Sequence, residues 1–455
     1  MSNTNQSTDQ PVSMEEAPYQ RFHSYIAACT IGGPIVDGYI LGIVAIALSQ
    51  MTTDLSLSTT WQGLIGAGAL IGLFIGGIAI GWVADLIGRR VMYTIDLLIF
   101  VIASVAHIWV DEPWLILVLR VILGIAVGAD YPIATTLLAE FIPRRQRGSF
   151  LAALVGGWWF GYMVAFAVGY VVSQSGEGSW RWALASSAIP AVIILLLRLG
   201  MPESPVWLAS KGRREEALAI VHKHIGPQYT LPELKADRPR SDYRRIFKDG
   251  YGRRTFFVSA FWFAQVLPAF AIFTFQPEIL SGFGVENGAL GTVLISVFFM
   301  VGVVPAVWLV QSWGRRPVLL IGFVIPAIAL ALLGLLPDAP IWLLFVLFVI
   351  FAMVSAGASV VQWVYPNELF PTDIRATAVG FGTAMSRVGA AVGTFLLPVT
   401  LSAFGTGPTM LIAAAVCVGG FLVSWPMAPE TRGKSLTETS AADVPARDSA
   451  VQRST

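Results

Sequence analysis

Five ionisable side chains stand inside otherwise apolar stretches of the sequence: Asp37, Asp96, Arg120, Asp130 and Arg387. At the centre of a membrane-embedded helix such a group costs roughly 2.5 to 3.5 kcal/mol even on the mildest scale, so each one calls for a reason. Asp37 lies in IGGPIVDGYILG, where Gly32, Gly33, Pro34 and Gly38 loosen the helix around it. Burial raises a carboxyl pKa and a nearby cation lowers it, so a movement that changes either converts protonation into a conformational signal. Asp37 is therefore a candidate proton-coupling group, with Arg120 its expected counter-charge. Asp130 follows Arg120 by ten residues, about 15 Å along one helix, too far for the two to pair. It reads as a second proton site, a substrate contact, or half of an intramembrane pair with a tyrosine or backbone partner. Asp96 is expected to find a structural partner near Arg89 and Arg90 or on the fourth span. Arg387, in TAMSRVGAAVG, cannot discharge itself and grips carboxylates bidentately, which favours an anionic ligand; an internal Glu or Asp partner is the alternative.

A second set of charges is written twice. Glu140-Phe141-Ile142-Pro143 with Arg147 recurs as Glu368-Leu369-Phe370-Pro371 with Arg375, displaced by 228 positions (368 − 140). GWVADLIGRR, ending at Arg90, is echoed by WLVQSWGRR, ending at Arg316, and Pro202-Glu203-Ser204 by Pro429-Glu430-Thr431, a shift of 227 (429 − 202). Carboxylates at helix ends (Asp85, Glu140, Glu203, Glu368, Glu430) facing Arg89, Arg90, Arg147, Arg315, Arg375 or Arg432 of a neighbouring helix would form charge-assisted hydrogen bonds where water is scarce. Such a latch holds one conformation and breaks in another; a static loop staple is the alternative. Gln311 stands where Asp85 stands in the first half, which makes the second latch the weaker one.

These residues need helices to carry them. The 455 residues are 55% hydrophobic and 13% charged, with a mean hydropathy of +0.70. Soluble domains carry roughly a quarter charged residues, so this is a polytopic membrane protein. Windows of about 20 apolar residues, the length that spans a bilayer, occur twelve times and predict an all-α membrane fold. The longest polar interruption divides them six and six: a tail over 1–23, a six-helix lobe over 24–200, a central loop over 201–253, a second lobe over 254–428 and a tail over 429–455. A short amphipathic helix is expected around Arg213 to His224, whereas the polar ends carry no visible structure. Arg89, Arg90, Arg144, Arg145, Arg147, Arg315, Arg316, Arg432 and Lys434 all fall on one side of the spans, which places both termini and the central loop in the cytoplasm. A net charge of +1 points to no nucleic-acid partner. Cys29 and Cys417 read as buried thiols without a disulfide. The four histidines are scattered and no nucleophile elbow, phosphate loop or metal cluster appears, so neither an enzyme nor a cofactor is expected.

GWVADLIGRR, RVILGIAVGADYPIATTLLAEFIPRRQRG from Arg120, PESPVWL, NELFPTDIR and PETRGKSL, in that order, resemble the sugar porter and metabolite:proton symporter branches of the major facilitator superfamily. The resemblance covers the whole membrane domain. It implies two six-helix lobes that rock about a site near mid-membrane by alternating access, with Arg120 matching the family's fourth-helix arginine and Arg387 the eleventh-helix arginine of organic-anion carriers. Sugar porters carry Gln-Gln and then Asn in the seventh helix. Here one glutamine, Gln265, stands in AQVLPAF and the asparagine position is apolar. Gln265, Gln362 and Trp363, with Phe270 as an apolar wall, are the candidate lining of a cavity that suits a small organic acid better than a hexose. The expectation is a monomeric proton-coupled symporter of a small organic anion, aromatic and hydroxy acids included, in the cytoplasmic membrane. A sugar or polyol symporter and a non-transporting sensor are the rivals.

Overall fold

The computed structural model describes residues 12–231, 243–248, 250–371, 374–434 and 436–440, with residues 79–87, Tyr131, Tyr243, Leu436 and Thr437 described by their backbone alone. Lipid offers backbone groups no hydrogen-bond partner, so the apolar segments close their hydrogen bonds internally as helices. Twelve are long and apolar enough to cross a membrane. In the first half these are α1 (Arg21–Asp54), α2 (Thr59–Ile87), α3 (Arg89–Ala106), α4 (Pro113–Phe141), α5 (Arg144–Ser173) and a span made of α6 (Ser179–Ala185) and α7 (Ala188–Arg198). The short α8 (Pro205–Ser210) and α9 (Arg214–His224) follow, α9 where an amphipathic helix was expected. The second half holds α10 (Gly252–Thr274) with its continuation α11 (Gln276–Gly282), then α12 (Gly288–Ser312), α13 (Arg315–Leu335), α14 (Ile341–Leu369), α15 (Arg375–Phe404) and α16 (Thr406–Met427).

The duplication seen in the motifs governs the packing. Within the first lobe α1 packs on α5, α2 on α4 and α3 on α7; within the second, α10 packs on α15, α12 on α14 and α13 on α16. The pairs that join the lobes, α2 with α15 and α5 with α12, exchange with one another under the same correspondence. Helices of a pair approach closely because glycine faces backbone: a Cβ on Gly38 would lie 2.0 Å from the Trp158 carbonyl oxygen, and one on Gly161 2.0 Å from that of Ile35.

One expectation fails at the amino terminus. Val12 and Ser13 form a strand paired in parallel with Tyr229–Thr230, and Met14 is fully buried. Met14 and Ala17 belong to a second apolar cluster, with Phe141, Ile142, Leu208 and Val221, which caps the basic end of the first lobe. The arm docks because its apolar side chains find α8 and α9 there. Composition alone showed only the polar residues around them.

Candidate functional site

Three buried carboxylates in the first lobe gather around one guanidinium, that of Arg198. This arginine closes α7 and is 3% exposed. Its Nη2 lies 3.2 Å from Asp130 Oδ1 and its Nη1 3.8 Å from Asp96 Oδ1. It also donates through Nε to the Cys29 carbonyl (3.1 Å) and through Nη1 to the Tyr93 carbonyl (3.0 Å), and stacks over the Tyr93 ring. Asp96 additionally accepts from the Leu97 amide at 2.7 Å. Asp37 is fully buried on α1 with neither oxygen hydrogen-bonded, and the second oxygens of Asp96 and Asp130 are likewise unpartnered. Gly33, one turn before Asp37, lets α1 press onto this cluster: a Cβ there would meet Asp130 Oδ2 at 2.0 Å and Arg198 Nη2 at 2.5 Å.

The expected pairings change accordingly. Arg120 does not answer Asp37; its Nη1 donates to the carbonyl of Ile40 at 3.0 Å. Asp96 and Asp130 share Arg198, in place of the Arg89/Arg90 region expected for the first and the tyrosine or backbone partner weighed for the second. Arg198 was passed over because an arginine at a span's basic end reads as an orientation charge. The available signal was its position inside the apolar window, thirteen residues before the next cation, Lys211.

In the second lobe, Gln362 Nε2 donates to Gln265 Oε1 at 2.8 Å, both side chains being buried. Trp363 meets Trp262 edge to face at 5.3 Å, and Phe270 reaches across the lobe boundary to Trp158 at 5.9 Å. Arg387 is half-buried on α15. Trp159 Nε1 donates to Ser359 Oγ at 3.2 Å across the boundary, and Asn287 Nδ2 to Tyr170 Oη at 3.5 Å near the face opposite the basic one.

The duplicated charges are paired in corresponding ways in the two lobes. In the first lobe Glu140 accepts from Arg89 and from the Ser204 hydroxyl, while Glu203 accepts the Arg90 amide at 3.2 Å. In the second, Glu368 takes Arg315 in a fork (2.6 to 3.1 Å) and the Thr431 hydroxyl at 2.6 Å, while Glu430 accepts the amides of Arg315 and Arg316 at 3.1 Å. Gly88 and Gly314, at φ of 104° and 102°, turn the chain into these amides, a conformation glycine adopts without strain. Arg89, Arg90 and Arg315 thus meet the glutamates as expected, whereas two other expected cations turn elsewhere: Arg147 binds Glu15 of the docked arm at 2.9 Å and the Ile142 carbonyl at 3.4 Å, and Arg375 binds the Phe370 carbonyl at 3.0 Å. Arg432 meets Glu430 through its backbone amide, at 2.9 Å. Each cluster lies within one lobe. The side chain of Asp85 lies outside the described residues.

The family model for sugar (and other) transporters matches residues 5–442. The chain is similar to YaaU of Escherichia coli (strain K12), described as a metabolite transport protein, at 43% identity over 94% of this chain and 97% of that one. It is 40% identical to the inner membrane metabolite transport protein YgcS of the same strain, over 94% and 96% of the two chains, and 27% identical to the niacin transporter NiaP of Acinetobacter baylyi, over 93% and 98%. Among solved structures, a partially occluded inward-open conformation of the E. coli xylose transporter XylE superposes with a TM-score of 0.78 at 24% identity, covering 91% of this chain and all of that one.

Proposed function

The chain belongs to the sugar (and other) transporter family and is a multi-pass secondary transporter of the major facilitator superfamily, and from that premise we propose that it carries a small organic anion together with a proton by alternating access. The observation behind this reading is the charge balance of the first lobe: Asp37, Asp96 and Asp130 stand against Arg198, leaving a formal surplus of two negative charges in a buried site. An unpaired carboxylate there is expensive, and a bound proton removes the cost. Asp37, with no hydrogen-bond partner and on the helix that Gly33 presses against the pair, takes the coupling role, and Asp130 with Arg198 sets the field around it. In this reading Arg387 supplies the cation for the cargo's carboxylate, with Gln265, Gln362, Trp363 and Phe270 along the lining. The Glu140 and Glu368 clusters act as conformational latches. The basic face is cytoplasmic, the membrane is the inner one, as the name of YgcS suggests, and the protein works as a monomer.

One proton with one monoanion moves no net charge, so the pH gradient alone drives accumulation, at about 1.4 kcal/mol or tenfold per pH unit. Uptake of nicotinate, a probe chosen from the niacin relative, into proteoliposomes should follow an imposed pH gradient. It should ignore a clamped membrane potential. Asp37→Asn should abolish accumulation while exchange persists; unchanged accumulation removes Asp37 from coupling. The rival cargo is a sugar, favoured by the bonded Gln265–Gln362 pair, whose amides match hydroxyl donors and acceptors. A neutral sugar moving with a proton would carry current, so potential-driven uptake of xylose and none of nicotinate would decide for it.

A further inference from the structure

Arg198 and Arg120 are both buried arginines of the first lobe, and they are satisfied very differently. All three nitrogens of Arg198 have partners. Arg120, 1% exposed on α4, uses Nη1 on the Ile40 carbonyl, while Nε and Nη2 have no partner and no carboxylate stands within ion-pair reach of it among the described residues. A buried guanidinium left this way is more costly than either a neutral residue or a completed pair. A purely structural arginine would be expected to cap carbonyls with those nitrogens, as Arg198 does.

Gly68 on α2 lies against the arginine's stem, a Cβ there being 3.0 Å from Arg120 Cβ. Tyr162 on α5, whose buried hydroxyl is also unpartnered, packs on the same turn of α1 that Arg120 meets: a Cβ on Gly38 would lie 3.1 Å from the Tyr162 amide nitrogen and one on Gly42 3.0 Å from its carbonyl oxygen, on either side of the Ile40 carbonyl. His107, the remaining titratable neighbour, has Nδ1 2.7 Å from the Ala103 carbonyl, so Nδ1 carries the proton and Nε2 is left without a partner. The Tyr162 ring packs edge to face on Phe299 of α12 at 6.2 Å. Separating α5 from α12 would therefore part the Tyr162 ring from Phe299.

We propose that Arg120, with the Tyr162 hydroxyl, forms a monoanion-binding site in the half of the first lobe away from the basic face, separate from Arg387. The occupant is either the cargo's own carboxylate, which rests on the anion reading above, or a free halide, which does not. Thermal unfolding of the purified full-length protein tests this, with sodium chloride or sodium nicotinate titrated against a bulky reference buffer at constant ionic strength. Wild type should gain roughly 2 to 4 °C on saturation. Arg120→Met should melt above wild type in the reference buffer, because the orphaned charge is gone, and should not respond to chloride. Nicotinate, which Arg387 also takes in the reading above, is titrated in an Arg387→Gln background, where adding Arg120→Met should remove the response. Arg387→Gln should keep the chloride response in full and the part of the nicotinate response that depends on Arg120. Arg120→Lys retains charge without the fork and should respond only at higher anion concentration, which keeps the test alive if Arg120→Met fails to fold. A nicotinate response that requires Arg120 identifies the cargo as occupant; a chloride response alone identifies the halide. A wild type that no anion stabilises, an Arg120→Met that responds as wild type does, or an undisplaced Arg120→Lys titration overturns the proposal. An Arg120-dependent chloride shift in a protein that takes up no nicotinate sinks the cargo reading and leaves the site standing.

Discussion

Gly33 is the residue at which the proton site is most exposed to a single methyl group. With Asp130 Oδ2 and Arg198 Nη2 at 2.0 and 2.5 Å from its would-be Cβ, Gly33→Ala must push α1 away or break the pair, because neither neighbour can yield without losing its partner. Accumulation should fall and the pH profile of uptake should move, whereas Gly156→Ala on α5, which meets nothing within 4 Å, should leave both unchanged. Arg198→Gln strands two carboxylates and should cost on the order of 3–5 kcal/mol in unfolding measurements, with Asp130→Asn in the same chain recovering part of it. If the double variant is no better than the single, the two do not share a charge balance. Asp37 and Asp130 were legible as candidates because depth follows from counting residues at a fixed rise. Their partners were not, since a linear sequence carries no information on the azimuth at which one helix faces another, and Arg120 turned to a carbonyl at Ile40 for that reason.

At the level of elements, the duplicated glutamates tie three segments in each lobe: α4, α3 and the stretch before α8 in the first, α14, α13 and the stretch after α16 in the second. The repeat made the existence of these clusters readable, but Ser204 and Thr431 were seen only as motif letters. Each donates to a carboxylate that also holds an arginine. Glu368→Gln should lower stability by about 2 kcal/mol, since it weakens a charge-assisted fork that is largely sheltered from water. Thr431→Ala should cost less, and Ser204→Ala more than Thr431→Ala, because the Ser204 hydroxyl also caps α8 by accepting the Trp207 amide at 2.9 Å. The docked arm carries its own pH dependence. His224 stacks on Phe22 at 4.6 Å, and burial, then Lys223, holds its pKa below the ordinary 6.5. A histidine kept neutral in the folded state contributes stability above its unfolded pKa and loses it as pH falls below about 6.5. Amide protection in residues 12–20, taken relative to the intrinsic exchange rate at each pH, should therefore fall from pH 7 to pH 5, and His224→Gln should flatten that change.

For the whole molecule, the six-plus-six arrangement was readable because both the apolar windows and the charged motifs repeat, and two such signals agree only if the halves share a fold. The lobe boundary was not readable, because its contacts, such as Trp159 with Ser359 and Trp158 with Phe270, join helices far apart in sequence through ordinary aromatic and hydroxyl residues. The amino-terminal strand adds an order of events to this architecture. Val12–Ser13 can pair only after Tyr229–Thr230 has been synthesised, so the first half ties itself off with its own leading segment while the second is still being made. Chains grow at about 5 to 20 residues per second, which gives the knot several seconds to close before α10 enters the bilayer. The gene should accordingly tolerate being cut in two: residues 1–250 and 251–455, made as separate polypeptides in one cell, should co-purify and restore uptake, and deleting residues 1–19 should abolish that rescue while the uncut chain remains competent.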